Sequence, residues 1–266
     1  MCATCGCDNE AKISIHRIDQ PTSLNVDDIQ FTPVEPRITP LPNGRKQIDL
    51  EQDILLKNNL RAERNRGYFL AKNILALNLV SSPGSGKTSL LEKTLHELKT
   101  QHSFYVIEGD QQTSNDADRI ASTQVPVVQI NTGKGCHLDS DMIWNATQQL
   151  NPANDSILFI ENIGNLVCPA MFDLGEQKRV VIISVTEGDD KPLKYPDMFQ
   201  SSQLCIINKV DLLPYVKFDM ENVKKYAKRV NPAIQFIELS CTSDEGISDW
   251  YEWLRKEKVE KIPVYG

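Results

Sequence analysis

The chain has 266 residues, 40% hydrophobic and 24% charged, and a formal net charge of −7. That supports one sizeable core, and the absence of any basic block excludes a nucleic-acid role. No apolar run approaches the roughly 20 residues of a membrane span, and Met1-Cys-Ala-Thr-Cys5 has no signal-peptide core, so a cytoplasmic protein is expected; there, seven cysteines read as thiols for metal or redox chemistry rather than as disulfides.

In chain order, residues 1–7 come first. Cys2, Cys5 and Cys7 place three thiols in seven residues with no core around them, which gives them little packing reason to exist. With Met1 removed, the α-amino group of Cys2 joins the thiolates, and such an N/S set suits Ni(II). Residues 8–47 are polar and carry Pro21, Pro33, Pro36, Pro40 and Pro42, the composition of a flexible tether. Residues 48–266 then form a single nucleotide-binding domain. It opens with a predicted amphipathic helix from Asp49 to about Asn73, packed on the domain through Ile54, Leu55, Leu60, Phe69 and Leu70.

The strand Leu77–Val80 runs into Ser81-Ser-Pro-Gly-Ser-Gly-Lys-Thr88, and a helix over Thr88–Lys99 follows. Strand, glycine-rich turn and helix make a phosphate-binding loop, in which backbone N–H groups converge on a phosphate. Pro83, Gly84, Ser85, Gly86, Lys87, Thr88 and Ser89 would cradle it, with Lys87 on the β- and γ-phosphates and the Thr88 hydroxyl on Mg²⁺. Ser81 stands where the pattern usually begins with glycine.

Beyond it, strands and helices alternate as in a parallel α/β sheet. Strands are predicted at Phe104–Glu108, Val125–Ile130, Ile157–Ile160, Val180–Val185, Leu204–Ile207 and Ile234–Leu239, and helices at Ala117–Ser122, Asp139–Leu150, Met220–Val230 and Gly246–Val259. The expected fold class is α/β, a three-layer P-loop fold with a mostly parallel sheet, preceded by the metal-binding tail. Functional loops then belong at the carboxyl ends of the strands. Asp110 and Glu161 end two strands and read as magnesium carboxylates, with Gly164 sensing the γ-phosphate. Asp116 is a further switch candidate, or caps the next helix.

Cys136 and His137 are adjacent and ligate together only from an irregular loop, with Cys168, four residues after Gly164, as the obvious third donor. Such a site would couple metal coordination to the γ-phosphate; the alternative is a small buried Cys168 and a loop His137. Asn208-Lys-Val-Asp211 then selects guanine. The Asp211 carboxylate accepts from guanine N1–H and the 2-amino group, which adenine lacks, while Asn208 braces the loop and Lys209 covers the ring. Ser240, Cys241 and Thr242 would present backbone N–H to the guanine carbonyl. Cys205 and the face of Trp250, Tyr251, Trp253 and Leu254 read as core.

With Cys2-x-x-Cys-Gly-Cys7, Ser81–Thr88, Glu108-Gly-Asp-Gln-Gln-Thr113, Asn131-Thr-Gly-Lys-Gly-Cys-His137, Glu161-Asn-Ile-Gly-Asn-Leu-Val-Cys168 and Asn208–Asp211 in this order, the chain resembles the HypB GTPases that assist nickel insertion into [NiFe]-hydrogenase. The resemblance implies GTP/GDP and Mg²⁺ as ligands, Ni²⁺ at Cys2, Cys5 and Cys7, and Ni²⁺ or Zn²⁺ at Cys136, His137 and Cys168. It also implies a GTP-dependent homodimer, for which Leu212 and Val216 are boundary candidates, with a HypA-like nickel/zinc accessory protein and the hydrogenase large subunit as partners. Lys194 is a further candidate for touching nucleotide. With only His16 in the tether, bulk nickel storage is not expected. The rivals are a urease-type nickel GTPase, whose metal motif would be Cys-Pro-His, and a metal-binding or storage protein with a vestigial nucleotide fold.

Overall fold

The computed structural model describes residues 13–18, 46–111, 115–133 and 135–259. The expectations for Cys2, Cys5 and Cys7, and for most of the tether, lie outside the described residues.

Eight strands form one sheet in the order β1-β4-β3-β5-β2-β6-β7-β8. They are β1 (Ser14–Arg17), β2 (Leu75–Ser81), β3 (Phe104–Asp110), β4 (Val127–Asn131), β5 (Ile157–Glu161), β6 (Lys178–Ser184), β7 (Leu204–Asn208) and β8 (Gln235–Leu239). All pairings are parallel except that of β1 with β4. The inner strands are apolar on both faces because helices cover both. On one side α2 (Lys87–Leu98), α3 (Asn115–Ala121) and α9 (Ile247–Val259) pack on Leu77, Leu79, Val106 and Phe159, with the Trp250, Tyr251, Trp253 and Leu254 face buried as expected. On the other, α1 (Lys46–Ala71) and α4 (Ser140–Leu150) cover Ala76, Ile107, Val128 and Leu158. Farther along that side, α7 (Pro196–Gln200) and α8 (Met220–Val230) cover Val181, Ile183, Ile207 and the fully buried Cys205. Three short helices, α5 (Cys168–Met171), α6 (Lys191–Lys194) and α7, were not predicted; at four or five residues each they carry no periodic signal.

Two expectations are corrected. Ser14–Arg17, inside the expected tether, is an edge strand whose Ile15 packs against the α1 and α4 side of the sheet. The tether's prolines begin only at Pro21, so nothing bars pairing before it. Helix α1 does pack on the domain, with Phe69 and the half-buried Leu55 inward as expected, but the rest of its packing stripe differs. Ile54, Leu60 and Leu70 are 44%, 67% and 41% exposed, whereas Asn58, Ala62, Asn65 and Phe69 are buried. Those four recur at helical spacing, and two are amides, which a search for apolar periodicity passes over.

Strand order sets the site. β2 is central, so the loop after it has the acidic ends of β5 and β3 on one side and the β7 and β8 ends on the other.

Candidate nucleotide and metal sites

The turn after β2 has Gly84 at φ 75° and Gly86 at φ 92°, left-handed values that side chains resist. A Cβ at Gly86 would also collide with Asn208 Nδ2. Lys87 and Thr88 open α2 and converge on one acid: Lys87 Nζ lies 2.8 Å and Thr88 Oγ1 2.6 Å from Glu161 Oε1. Glu161 is 1% exposed, and its Oε2 has no hydrogen-bond partner. Opposite it across the β3–β5 register stands Glu108, also buried. Burial, then the charges of Glu161 and Asp110, push the Glu108 carboxyl up to about 8. Together with Asp110, Gln111, Asp116, Arg119, Gly164 and Lys209, the turn lines a cavity of about 510 Å³.

Gly164 packs on the turn itself, since an added Cβ would meet Pro83 Cγ at 3.2 Å. Asn208 Nδ2 donates to Ser85 O at 2.8 Å, and Lys209 Nζ to Gly84 O at 2.7 Å, so the end of β7 braces the phosphate loop. Asp211 Oδ1 is a buried acceptor without a partner, as a group reserved for guanine N–H donors would be. The Ser240–Thr242 loop lies against this set: burial pushes the Cys241 thiol up to about 11, with Asn208 and Asp211 among its neighbours. Thr242 N–H is engaged by Ser240 Oγ at 3.1 Å.

Sequence reasoning passed over the loop after β6. Glu187 Oε1 accepts from Ser85 Oγ at 2.6 Å and from Ser184 N at 3.1 Å, while Lys191 Nζ reaches Ser82 Oγ at 2.9 Å. Lys194 instead pairs with Asp190 at 2.7 Å and is well exposed. Leu212 lies in a short 3₁₀ turn, Val210–Tyr215, and Val216 follows it; both are half-buried against the α7 and α8 core, with Tyr215 between them 83% exposed.

The three expected metal donors do meet. Cys136 Sγ is 2.9 Å from Cys168 Sγ and 3.7 Å from His137 Nδ1, and one ligand atom from each residue lies within 4.8 Å of the others. Cys136 and His137 follow β4 and Cys168 opens α5 after β5, so the pair reaches across the end of β3. The His137 ring stacks on Phe172 at 3.8 Å between centroids. Burial holds His137 below the usual imidazole range, against the opposing pull of Asp139, which leaves a neutral ring able to ligate.

This cluster is joined to the phosphate end by hydrogen bonds. Asn165, next to Gly164, donates from Nδ2 to Cys136 O at 3.3 Å and accepts Val167 N at 2.8 Å. Gln111 Nε2 donates to Gly135 O at 3.2 Å, and Thr132 N to Asp110 O at 2.9 Å.

Among the described residues no helix is long and apolar enough to cross a membrane. Residues 75–238 match the family model for the CobW/HypB/UreG nucleotide-binding domain. The hydrogenase maturation factor HypB of Escherichia coli K12 is 56% identical over 214 residues, covering 80% of this chain and 74% of that protein. That of Azotobacter chroococcum is 55% identical over 217 residues, covering 82% and 71%. Among solved structures, HypB from Archaeoglobus fulgidus superposes with a TM-score of 0.72 at 37% identity, covering 76% of this chain and 99% of that one. HypB from Helicobacter pylori, solved in complex with nickel, gives 0.72 at 38% identity, covering 77% and 96%. With the phosphate loop, the guanine motif and the cysteine–histidine cluster in one sheet end, the chain belongs to the HypB family of hydrogenase maturation factors.

Proposed function

We propose that this chain is a GTP-hydrolysing nickel carrier for [NiFe]-hydrogenase maturation, in which the nucleotide state sets metal coordination at Cys136, His137 and Cys168. The observation that carries the reading is the shared wiring: the same segment holds Gly164 against Pro83 and Asn165 against the Cys136 carbonyl. A γ-phosphate that engages Gly164 N–H would move Asn165 and Cys168 together. Nickel is cargo here. Two thiolates and an imidazole suit Ni²⁺ or Zn²⁺ and leave coordination positions open for exchange, and the nickel complex of the H. pylori relative supports nickel. HypB of H. pylori J99, 38% identical over 224 residues, is a hydrogenase/urease maturation factor, which makes delivery toward urease the second reading.

Thr88, Asp110 and Glu161 would hold Mg²⁺, and the partnerless buried Glu161 Oε2 fits a cation. When bound, the ion neutralises phosphate charge. The chain's own part is positioning. Turn amides hold the phosphates, Lys87 exchanges Glu161 for the β- and γ-oxygens, and Asp211 fixes guanine. Cys2, Cys5 and Cys7 form the second nickel site in this reading. β1 pairs Ser14 with Asn131, five residues before Cys136, and the seven-residue step from Cys7 to Ser14 reaches at most about 25 Å; exchange between the two sites within one chain is therefore allowed. Leu212 and Val216 contribute to a GTP-dependent homodimer, and the exposed Val167 and Met171 beside Cys168 suit a protein partner such as a HypA-like protein or the hydrogenase large subunit.

GTP turnover by wild type and by a Cys136→Ala/Cys168→Ala variant, each with its nickel stoichiometry, tests the reading. Turnover in both, with one nickel step lost in the variant, is expected. No turnover in the wild type would leave a metal-binding protein with a vestigial nucleotide fold.

A further inference from the structure

We propose that helix α1 is the positioning element of the cysteine–histidine site, acting through the buried amides of Asn58 and Asn65. The proposal rests on reading Cys136, His137 and Cys168 as the nickel site. The ligands come from two segments, residues 131–140 and 162–176, that are far apart in sequence, and α1 lies across both. Asn58 Oδ1 accepts from Ser140 N at 2.9 Å while its Nδ2 donates to Asp173 O at 2.7 Å. Its own carbonyl accepts from Ser140 Oγ at 2.9 Å. Two turns on, Asn65 Nδ2 donates to Ser140 O at 2.8 Å and to Leu174 O at 3.0 Å. Each amide thus bonds the same two segments.

The bonded groups sit close to the ligands. Ser140 opens α4 three residues after His137, and Asp173 follows the Phe172 ring on which His137 stacks. Gly175, at φ 85°, lies so near α1 that a Cβ there would stand 2.5 Å from Ala62 O and 2.7 Å from Asn65 Cβ. A planar amide offers a donor and an acceptor in fixed geometry, so Asn58 sets the separation of the segments that its two bonds join, and with it the distance between His137 and Cys168. Leucine at these positions would leave the Ser140 N–H and the Asp173, Ser140 and Leu174 carbonyls without these partners. Buried asparagines whose bonds go to the ligand-bearing segments have a geometric task, as outer-shell partners of metal ligands do. Helix α1 also lies outside residues 75–238, the span matched by the family model, so the nucleotide-binding domain as that model describes it does not include this element.

The test is a nickel chloride titration of the full chain in a Cys2→Ala/Cys5→Ala/Cys7→Ala background, read by affinity and by the thiolate-to-nickel charge-transfer band, with GDP affinity measured in parallel. Asn58→Ala and Asn65→Ala are expected to weaken nickel about tenfold and to shift the band, with GDP affinity within twofold of the parent. Asn58→Gln, which keeps an uncharged donor and acceptor on a longer stem, is expected to fall between parent and alanine variant, and carries the test should Asn58→Ala fail to fold. Parental nickel affinity and an unshifted band in the Asn58 and Asn65 variants, whatever their melting temperature, would overturn the proposal. A nickel step that survives Cys136→Ala/Cys168→Ala in the same background would instead remove the site reading on which it rests.

Discussion

The phosphate end and the cysteine–histidine end of this molecule are built differently. At the phosphate end the cradle is one run of neighbours, Ser81–Ser89, shaped by local backbone geometry, two left-handed glycines and a helix start, while Glu161, Glu187 and Asn208 brace it from distant parts of the chain. At the cysteine–histidine end three donors come from two loops, and groups distant in sequence hold them. Asn58 and Asn65 in α1 bond both loops from one side. From the other, Arg179, paired with Glu176, donates to the carbonyl of Ala170, two residues after Cys168, at 3.2 Å and to that of Phe172, His137's stacking partner, at 2.9 Å. A cradle made of adjacent residues takes its shape from its own backbone. One made by long-range contacts is open to damage from residues that touch neither metal nor nucleotide.

The largest expected effect follows from Arg179, which is buried with Glu176. Arg179→Met strands a buried carboxylate, and such a break costs about 3–5 kcal/mol, or roughly 10 °C in melting temperature for a domain of this size; a loss near 1 kcal/mol would mean that the segment after Cys168 is held elsewhere. Lys87→Ala should lower the GTP turnover number about 10²- to 10³-fold, the scale of one removed transition-state donor, and leave nickel stoichiometry unchanged. A turnover that survives would detach hydrolysis from the phosphate loop. Gly164→Ala presses a methyl on Pro83 at 3.2–3.3 Å, and is expected to weaken a non-hydrolysable GTP analogue about tenfold while sparing GDP. Equal losses for both nucleotides would remove Gly164 as the γ-phosphate sensor. The smallest effect belongs to Leu60→Ser. Leu60 is 67% exposed, and chemical denaturation should place the change within about 0.5 kcal/mol, although the apolar pattern of the sequence puts Leu60 on the packing face.

That last case marks the boundary of what the sequence discloses. The strand–turn–helix around Ser81–Thr88 and the alternation after Leu75 were legible because backbone geometry there follows from local composition. Cys136, His137 and Cys168 were legible as a chemical set, since few other roles gather those residue types so close to the phosphate loop. Of the inward face of α1, Phe69 and Leu55 were legible and the rest was not. Periodicity searches weigh apolar side chains, and this helix turns Asn58 and Asn65 inward because two backbone segments need their hydrogen bonds satisfied there. β1 was hidden by its length, four residues in a polar stretch, and by pairing that only the exposed edge of β4 explains. Glu187 and Lys191 were illegible for a similar reason: their partners Ser85 and Ser82 are about a hundred positions away.

The central claim is that the nucleotide state and the cysteine–histidine site share moving parts through Gly164, Asn165 and Cys168. It is tested most directly by calorimetric nickel titration of the chain carrying Cys2→Ala/Cys5→Ala/Cys7→Ala, once with GDP and once with a non-hydrolysable GTP analogue. The account predicts nickel affinities that differ at least about fivefold between the two nucleotides, the lower end of ordinary coupling between sites. Equal affinities would contradict it.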